Sequence, residues 1–250
     1  MELARPVRLG WHVVRVTQPR VFKRPAVLII RPVASDVHLE FVALRERAYT
    51  ASIDEASSLI VAGTHGVEVK ATGGAWRYQR IPLSPLAKLL AFLEGGFPMS
   101  STQSDRATIS LIEAPGALNA GRIERWMVEQ AIECDARAAS LFDLLRSDES
   151  YSLVRFLLSE RQNFKSVTEL SHQYGVSESH FRRLCRQALG TNLKGELRRW
   201  RATAAILGIV DGCESLTNIA VGSGFASSSH LSKEVKDFLG ISPCKIRQGQ

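Results

Sequence analysis

The first eighty residues alternate between short apolar runs and turn residues, a pattern typical of β-strands. Val, Ile and aromatic residues fill the runs, and Gly, Pro and Asp separate them. The predicted strands are GWHVVRV (10–16), AVLIIRPV (26–33), HLEFVALR (38–45), SLIVAG (58–63), VEVKA (67–71) and WRYQRI (76–81). THGVEV suggests a hairpin at Gly66. The pattern predicts a β-rich domain.

The apolar period then changes to that of an α-helix. Ser84 is a suitable N-cap, Gly95–Gly96 end the helix, and four leucines recur on one face: Leu86, Leu89, Leu90 and Leu93. FPMSSTQSD (97–105) is predicted to be a polar loop. Further helical patterns occupy 117–133, 135–148 and 150–160. RSDES (146–150) is a polar break, so we place the domain boundary between 147 and 148.

The all-helical region contains one pattern twice. SVTELSHQYGVSESHFRRLCRQALG (166–190) is matched by SLTNIAVGSGFASSSHLSKEVKDFLG (215–240). In each copy a serine caps a short helix, a glycine ends it, and Val176 or Phe225 fills the turn. A second amphipathic helix follows, with Phe181, Leu184, Cys185 and Leu189 predicted buried in one copy and Leu231, Val235, Phe238 and Leu239 in the other. Helix, glycine-containing turn and helix at this length predict two helix-turn-helix units.

The opposite face of each second helix is polar and largely basic. It carries Ser179, Arg182, Arg183 and Arg186 in the first unit, and Ser228, Ser229, His230, Ser232, Lys233 and Lys236 in the second. A recognition helix presents such side chains to bases and phosphates in the major groove of DNA. These ten residues are therefore the candidate DNA-binding site.

A linker helix over 193–209 is predicted between the two units. Five residues form one apolar stripe along it: Leu193, Leu197, Trp200, Ala204 and Leu207. The other side is basic, with Lys194, Arg198, Arg199 and Arg201. Such a helix fixes the spacing of the two units.

The net charge of +7 supports a polyanionic partner because it is uneven. Residues 146–250 hold 15 basic and 10 acidic side chains, whereas 1–145 hold 17 and 15. A solvated basic face or a surface for an acidic protein partner would give the same excess.

Together, YGVSESHFRRL, LRRWRATAAIL, TNIAVGSGFASSSHLSKEVKDFLGISP and SPCKIR resemble the AraC/XylS family of bacterial transcription regulators across about 151–247. The resemblance implies an α+β chain: a β-rich, degenerate cupin-like domain with helices in 1–147, then a seven-helix DNA-binding domain in 148–250. It implies contacts with bases or phosphates by the ten residues above, promoter DNA and RNA polymerase as partners, and no cofactor. Two departures from the family are Val235, where an aromatic is usual, and Glu234, expected to weaken phosphate binding beside the contact surface.

A narrower resemblance is to the subgroup that activates type III secretion and invasion genes. It rests on LLRSDESYSLVRFLLSE, YGVSESHFRRLCRQALG, KGELRRWR and LAKLLAFLEGG. It implies control by a secretion chaperone of the tetratricopeptide type, which the β-rich domain would meet. The helix around Leu86–Leu93 is a further candidate for that contact, but its apolar face could equally be buried in the domain, and we favour burial. A homodimer is left open.

The sequence gives less support to other functions. We find no phosphate-binding glycine loop, G-x-S-x-G or H-E-x-x-H motif, and no cysteines at metal-ligand spacing, so we predict neither an enzyme nor a metal site. Cys185 is read as a small core residue. No apolar run is long enough for a membrane span, and the start lacks a signal peptide, so a cytoplasmic protein is expected. A regulator that senses a small ligand stays open, with a pocket lined by Trp11, Phe22, Phe41, Trp76 and Tyr78.

Overall fold

The computed structural model describes residues 10–15, 19–34, 36–43, 48–96, 109–160 and 166–247. The predicted loop at 97–105 lies outside these residues. The chain divides into two compact units, Met1–Ser152 and Leu153–Gln250. The division falls inside a helix, Glu149–Glu160, that begins two residues after the boundary predicted from the sequence.

The described residues of the first unit form two antiparallel sheets. A five-stranded sheet has the order β1-β8-β3-β6-β9 and a four-stranded sheet the order β2-β7-β4-β5. The strands are β1 (His12–Val14), β2 (Arg20–Phe22), β3 (Ala26–Pro32), β4 (Val37–Ala43), β5 (Ala48–Ile53), β6 (Ser57–Gly63), β7 (Val67–Gly73), β8 (Trp76–Ile81) and β9 (Ile109–Pro115).

The sheets pack face to face around one apolar core, and helices cover the outer face of the five-stranded sheet. In β3, Leu28 and Ile30 point to the core between the sheets, and Val27 and Ile29 point to the helices. Because both faces of β3 are covered, its sequence is a continuous apolar run rather than an alternating one.

All six strands predicted from the sequence are confirmed, and three were missed. β5 is mostly exposed and polar, so it lacks the apolar signal of a buried strand. The hairpin at Gly66 was a wrong prediction. β6 and β7 belong to different sheets, and Gly66, with a φ of 94°, lies in the corner between them.

The helices of the first unit are α1 (Leu83–Gly96), α2 (Ile123–Glu133), a 3₁₀ turn (Ala136–Ala138) and α3 (Ala139–Arg146). Leu86 and Leu90 are fully buried against the sheet, and Leu89 and Leu93 pack beside them. The leucine face of α1 is therefore part of the core, and the burial favoured from the sequence is confirmed.

Among the described residues, seven helices follow residue 148. They are α4 (Glu149–Glu160), α5 (Val167–Tyr174), α6 (Glu178–Leu189), α7 (Leu193–Asp211), α8 (Leu216–Gly222), α9 (Ser228–Leu239) and α10 (Pro243–Arg247). This confirms the α+β class and the helical domain with its two helix-turn-helix pairs, α5–α6 and α8–α9. The linker helix α7 continues two residues past the predicted end.

Candidate nucleic-acid interface

Local capping fixes the first helix-turn-helix unit. The Ser166 side chain accepts a hydrogen bond from the Glu169 amide at 3.2 Å, and the Glu169 carboxylate accepts one from the Ser166 amide at 2.7 Å. This capping box starts α5. Gly175 ends it in the left-handed conformation, φ 81°, which a residue with a Cβ rarely adopts. The chain then re-enters a helix at the N-cap Ser177.

The second unit repeats this construction. Ser215 caps α8, Gly224 takes a φ of 75° in the turn, and Ser227 caps α9. From the second cap onward the two units match at an offset of 50 residues, from Ser177 and Ser227 to the end of each second helix. The sequence therefore places the two recognition helices, α6 and α9, by the same local rules.

The buried stripe of α6 agrees with the prediction. Phe181, Leu184, Cys185 and Leu189 are all buried. The ring of Tyr174 lies 5.7 Å from that of Phe181 and closes the core from α5. Cys185 is a core residue, as predicted, and its burial raises the pKa of the thiol to about 11.

The prediction of the buried residues of α9 was half wrong. Leu231 and Val235 are fully buried and pack with Phe225, but Phe238 is 48% exposed and Leu239 is 44% exposed. The residue buried beside Leu231 and Val235 is Glu234. Helical period shows which residues share a face, but not how far along that face the neighbouring helices extend.

All ten candidate contact residues lie on α6 and α9. Eight of them are exposed, and Ser228 and Ser232 are half-buried. On α6, Ser179, Arg183 and Arg186 are on the side opposite Phe181 and Leu184, so they point away from the core. Gln187 on α6 and Asp237 on α9 are also exposed. Neither was among the contact residues predicted from the sequence.

The arginines of α6 differ in their neighbours. Arg182 forms an ion pair with Glu178, with the terminal nitrogen 2.7 Å from the carboxylate. Glu178 also accepts a hydrogen bond from Thr168 of α5, and these two contacts lower the pKa of Glu178, the Thr168 bond most. The side chains of Arg183 and Arg186 make no hydrogen bond or ion pair with any residue that the structure describes. Their guanidinium groups are therefore available to an external anion.

In the second unit His230 has a supporting contact. Its ring packs edge-on against Phe225 at 5.5 Å, so the turn residue fixes the direction of the imidazole. Lys233 and Lys236 are exposed on the same helix, one turn apart. Arg198 of α7, which the sequence placed on a free basic face, pairs instead with Glu234 of α9. The sequence does contain a signal for this pair: Glu234 is a carboxylate at a helix position where the first unit has the apolar Leu184.

The apolar stripe predicted for α7 was wrong in its second half. Leu193 is buried and Trp200 is half-buried, but Ala204 and Leu207 are exposed. From Ala202 onward the buried residues are on the opposite side of the helix: Ala202, Ala205 and Ile209. α7 thus buries two different faces along its length, and it contacts α6 of the first unit and α8 and α9 of the second.

Other kinds of site find little support in the described part of the chain. It contains no group of three or more His, Cys, Asp or Glu placed to hold a metal ion. None of the helices described is both long enough and apolar enough to span a membrane. Of the aromatics suggested for a ligand pocket, four are packed in the core between the sheets: Phe22, Phe41, Trp76 and Tyr78. Trp11 packs on the other face of its sheet.

Comparison with known proteins agrees with this geometry. A helix-turn-helix domain family matches residues 170–249. The invasion protein InvF of Salmonella typhimurium is 37% identical over 172 residues, which are 68% of this chain and 80% of InvF. The transcriptional regulator MxiE of Shigella flexneri is 35% identical over 122 residues, 48% of this chain and 58% of MxiE.

Among solved structures, a transcriptional regulator of Chromobacterium violaceum with an AraC-type DNA-binding domain is similar to 38% of this chain, and the match covers 86% of that protein. The identity is 24% and the TM-score 0.36. ToxT of Vibrio cholerae matches 96% of this chain and 97% of its own length, at 11% identity and a TM-score of 0.37. A helix-turn-helix family thus matches the second unit, and the similarity to InvF extends over most of the length of InvF. The chain therefore belongs to the AraC/XylS family of transcription regulators.

Proposed function

We propose that this protein activates type III secretion genes by placing α6 and α9 in the major groove of promoter DNA. The observation that carries the proposal is the pair of exposed polar faces on two recognition helices joined by one continuous helix. α7 has 19 residues, about 28 Å at 1.5 Å per residue. Successive major grooves on one face of the duplex are roughly 34 Å apart. A helix of that length suits two recognition helices that read adjacent grooves.

The polar residues divide into two roles in this proposal. Arg183 reads a base, since its guanidinium has no partner among the described residues and a bidentate arginine–guanine contact is the commonest specific one. Ser179, Arg182, Ser228, Ser229, His230, Ser232 and Lys233 contact bases or nearby phosphates. Arg186 and Lys236, farther along the same faces, contact phosphates and fix the register.

The type III secretion role rests on the similarity to InvF and MxiE together with the sequence motifs of that subgroup. In this proposal the protein works in the cytoplasm, where its promoter and RNA polymerase are, and needs no cofactor. The first unit is regulatory, and a tetratricopeptide-type secretion chaperone binds it on a surface other than the buried leucine face of α1. A homodimer is compatible with this proposal and is not required by it.

The test compares two proteins on one promoter: the full-length chain and residues 148–250. DNA binding is measured for both, and promoter activity for the full-length chain with and without the chaperone. We expect 148–250 to bind DNA unaided and the full-length chain to need the chaperone for activation. Full activity from the pure full-length chain, unaffected by a chaperone and raised by a metabolite, would contradict chaperone control. Equal affinity for promoter and scrambled DNA would contradict the DNA-reading role.

A further inference from the structure

Two arginines face each other on the helix-covered side of the five-stranded sheet. Arg31 of β3 and Arg77 of β8 are directly opposite in the antiparallel register. Both lie on the same face of the sheet as residues that pack against the helices, Val27 and Ile29 in β3 and Ile81 in β8. Like charges directly opposite on a sheet repel each other, so this placement destabilises the first unit unless an anion compensates it.

The structure supplies no such anion from the described residues. Neither arginine makes a hydrogen bond or ion pair with them, and the Nε atoms of both are buried without an acceptor. Burial lowers the pKa of Arg31, and the charge of Arg77 lowers it further. Arginine nevertheless stays protonated at any physiological pH. Two positive groups are therefore held close together, partly desolvated, with unused donors.

The neighbouring side chains do not neutralise the two arginines. The Trp11 ring lies under both guanidinium carbons, 5.9 Å from that of Arg31 and 5.0 Å from that of Arg77. Ile30 pairs with Leu59 of β6, and Ser58 precedes Leu59, which places Ser58 next to Arg31 in the same row. Its hydroxyl is fully buried and has no hydrogen-bond partner within the part of the chain that the structure describes. Three of the buried donors that lack a partner thus belong to one row across three adjacent strands.

We propose that Arg31 and Arg77, on the Trp11 ring, bind an oxyanion: the carboxylate or phosphate group of a small molecule. A guanidinium fork matches both groups in shape, and one anion between two arginines would replace repulsion by two charge-assisted contacts. The site is on the outer, helix-covered face of the sheet. It is distinct from the packed interior between the sheets and from the DNA-contact residues of α6 and α9.

The test follows the thermal midpoint of the full-length chain in sodium chloride, sodium acetate and sodium phosphate at equal ionic strength. At an anion concentration ten times the dissociation constant, the midpoint should rise by about 3 °C. Arg31→Gln and Arg77→Gln should abolish this rise. In chloride these variants should melt no lower than the parent, because each removes one of two repelling charges. Arg20→Gln, at an exposed arginine of β2, is the matched control and should keep the rise.

A rise with phosphate alone assigns the site to phosphate, and a rise with acetate also assigns it to carboxylates; either supports the proposal if Arg77→Gln removes it. Equal rises in all four proteins would place the bound anion elsewhere and overturn the proposal, and so would no rise in the parent. Fluorescence gives a second readout in case a variant folds poorly. Titration with the active anion should change the tryptophan emission of the parent, and Trp11→Phe should lose that change. A change that persists in Trp11→Phe would also overturn the proposal.

Discussion

The guanidinium of Arg198 on α7 and the carboxylate of Glu234 on α9 form a two-point ion pair, with the second contact, Nη2 to Oε2, at 2.8 Å. Glu234 is only 8% exposed. It occupies the position of Leu184 in the first unit, which is buried too. The second unit thus has a buried carboxylate where the first has a leucine, and the linker helix neutralises it. The expectation that Glu234 repels phosphate at the surface was therefore wrong.

This pair predicts an asymmetry between two substitutions. Arg198→Ala leaves the Glu234 carboxylate buried without its partner, so it should lower the thermal midpoint of the full-length chain clearly. Glu234→Leu installs the residue of the first unit and removes the buried charge, so it should lower the midpoint less or raise it. The double variant should resemble Glu234→Leu. An Arg198→Ala protein that melts like the parent would show that the pair contributes nothing.

Arg183 should determine sequence specificity. Replacing it with alanine removes a guanidinium that no described residue binds from the outward face of α6. This should cost about 1–3 kcal/mol of binding free energy on the cognate promoter. Binding to scrambled DNA should change far less. Fluorescence anisotropy with both duplexes measures the difference, with Gln187→Ala as an exposed neighbour on the same helix. Equal losses on both duplexes would make Arg183 a phosphate contact.

Phosphate contacts should make promoter affinity depend steeply on salt. Each neutralised phosphate contributes about −0.9 to the slope of log affinity against log salt, and several contacts should give about −3 or steeper. Lys236→Gln and Arg186→Gln should each reduce the slope by about one. Arg198→Gln should leave the slope nearly unchanged, since Glu234 already holds that guanidinium. A parent slope near zero would leave the basic faces without a role in DNA binding.

Phe225 should be structural although it adjoins the recognition helix. It is buried against Ile219, Leu231 and Val235 and fixes the ring of His230. Phe225→Ala should cost about 3–5 kcal/mol of unfolding free energy because it opens a cavity in a small core. Denaturant unfolding measures this loss. The contrary result is a variant that unfolds like the parent yet binds DNA weakly.

The sequence predicted best where local rules decide the structure. Ser166, Gly175 and Gly190 act through capping and left-handed backbone, which depend on a few adjacent residues. The six apolar strands were found for a similar reason, because a run of Val and Ile indicates burial by itself. The missed strand β5 is an exposed edge of its sheet, where polar residues are tolerated.

Features that depend on contacts between residues distant along the chain could not be predicted from the sequence alone. The Arg198–Glu234 pair joins residues 36 positions apart, and the Arg31–Arg77 pair joins two strands separated by four others along the chain. The face that α7 buries changes along its length, because helices of both helix-turn-helix units pack against it. The predicted stripe ending at Leu207 treated the helix as if one partner covered all of it.

The change of buried face on α7 gives a final prediction with a built-in control. Ile209 is fully buried in the core of the second unit, whereas Leu207, two residues earlier, is 60% exposed. Ile209→Ala should therefore cost about 2–5 kcal/mol of unfolding free energy. Leu207→Ala should stay within about 0.5 kcal/mol of the parent, as surface substitutions usually do. The sequence stripe predicts the reverse order, so denaturant unfolding of the two variants decides which face of α7 holds the second helix-turn-helix unit in place.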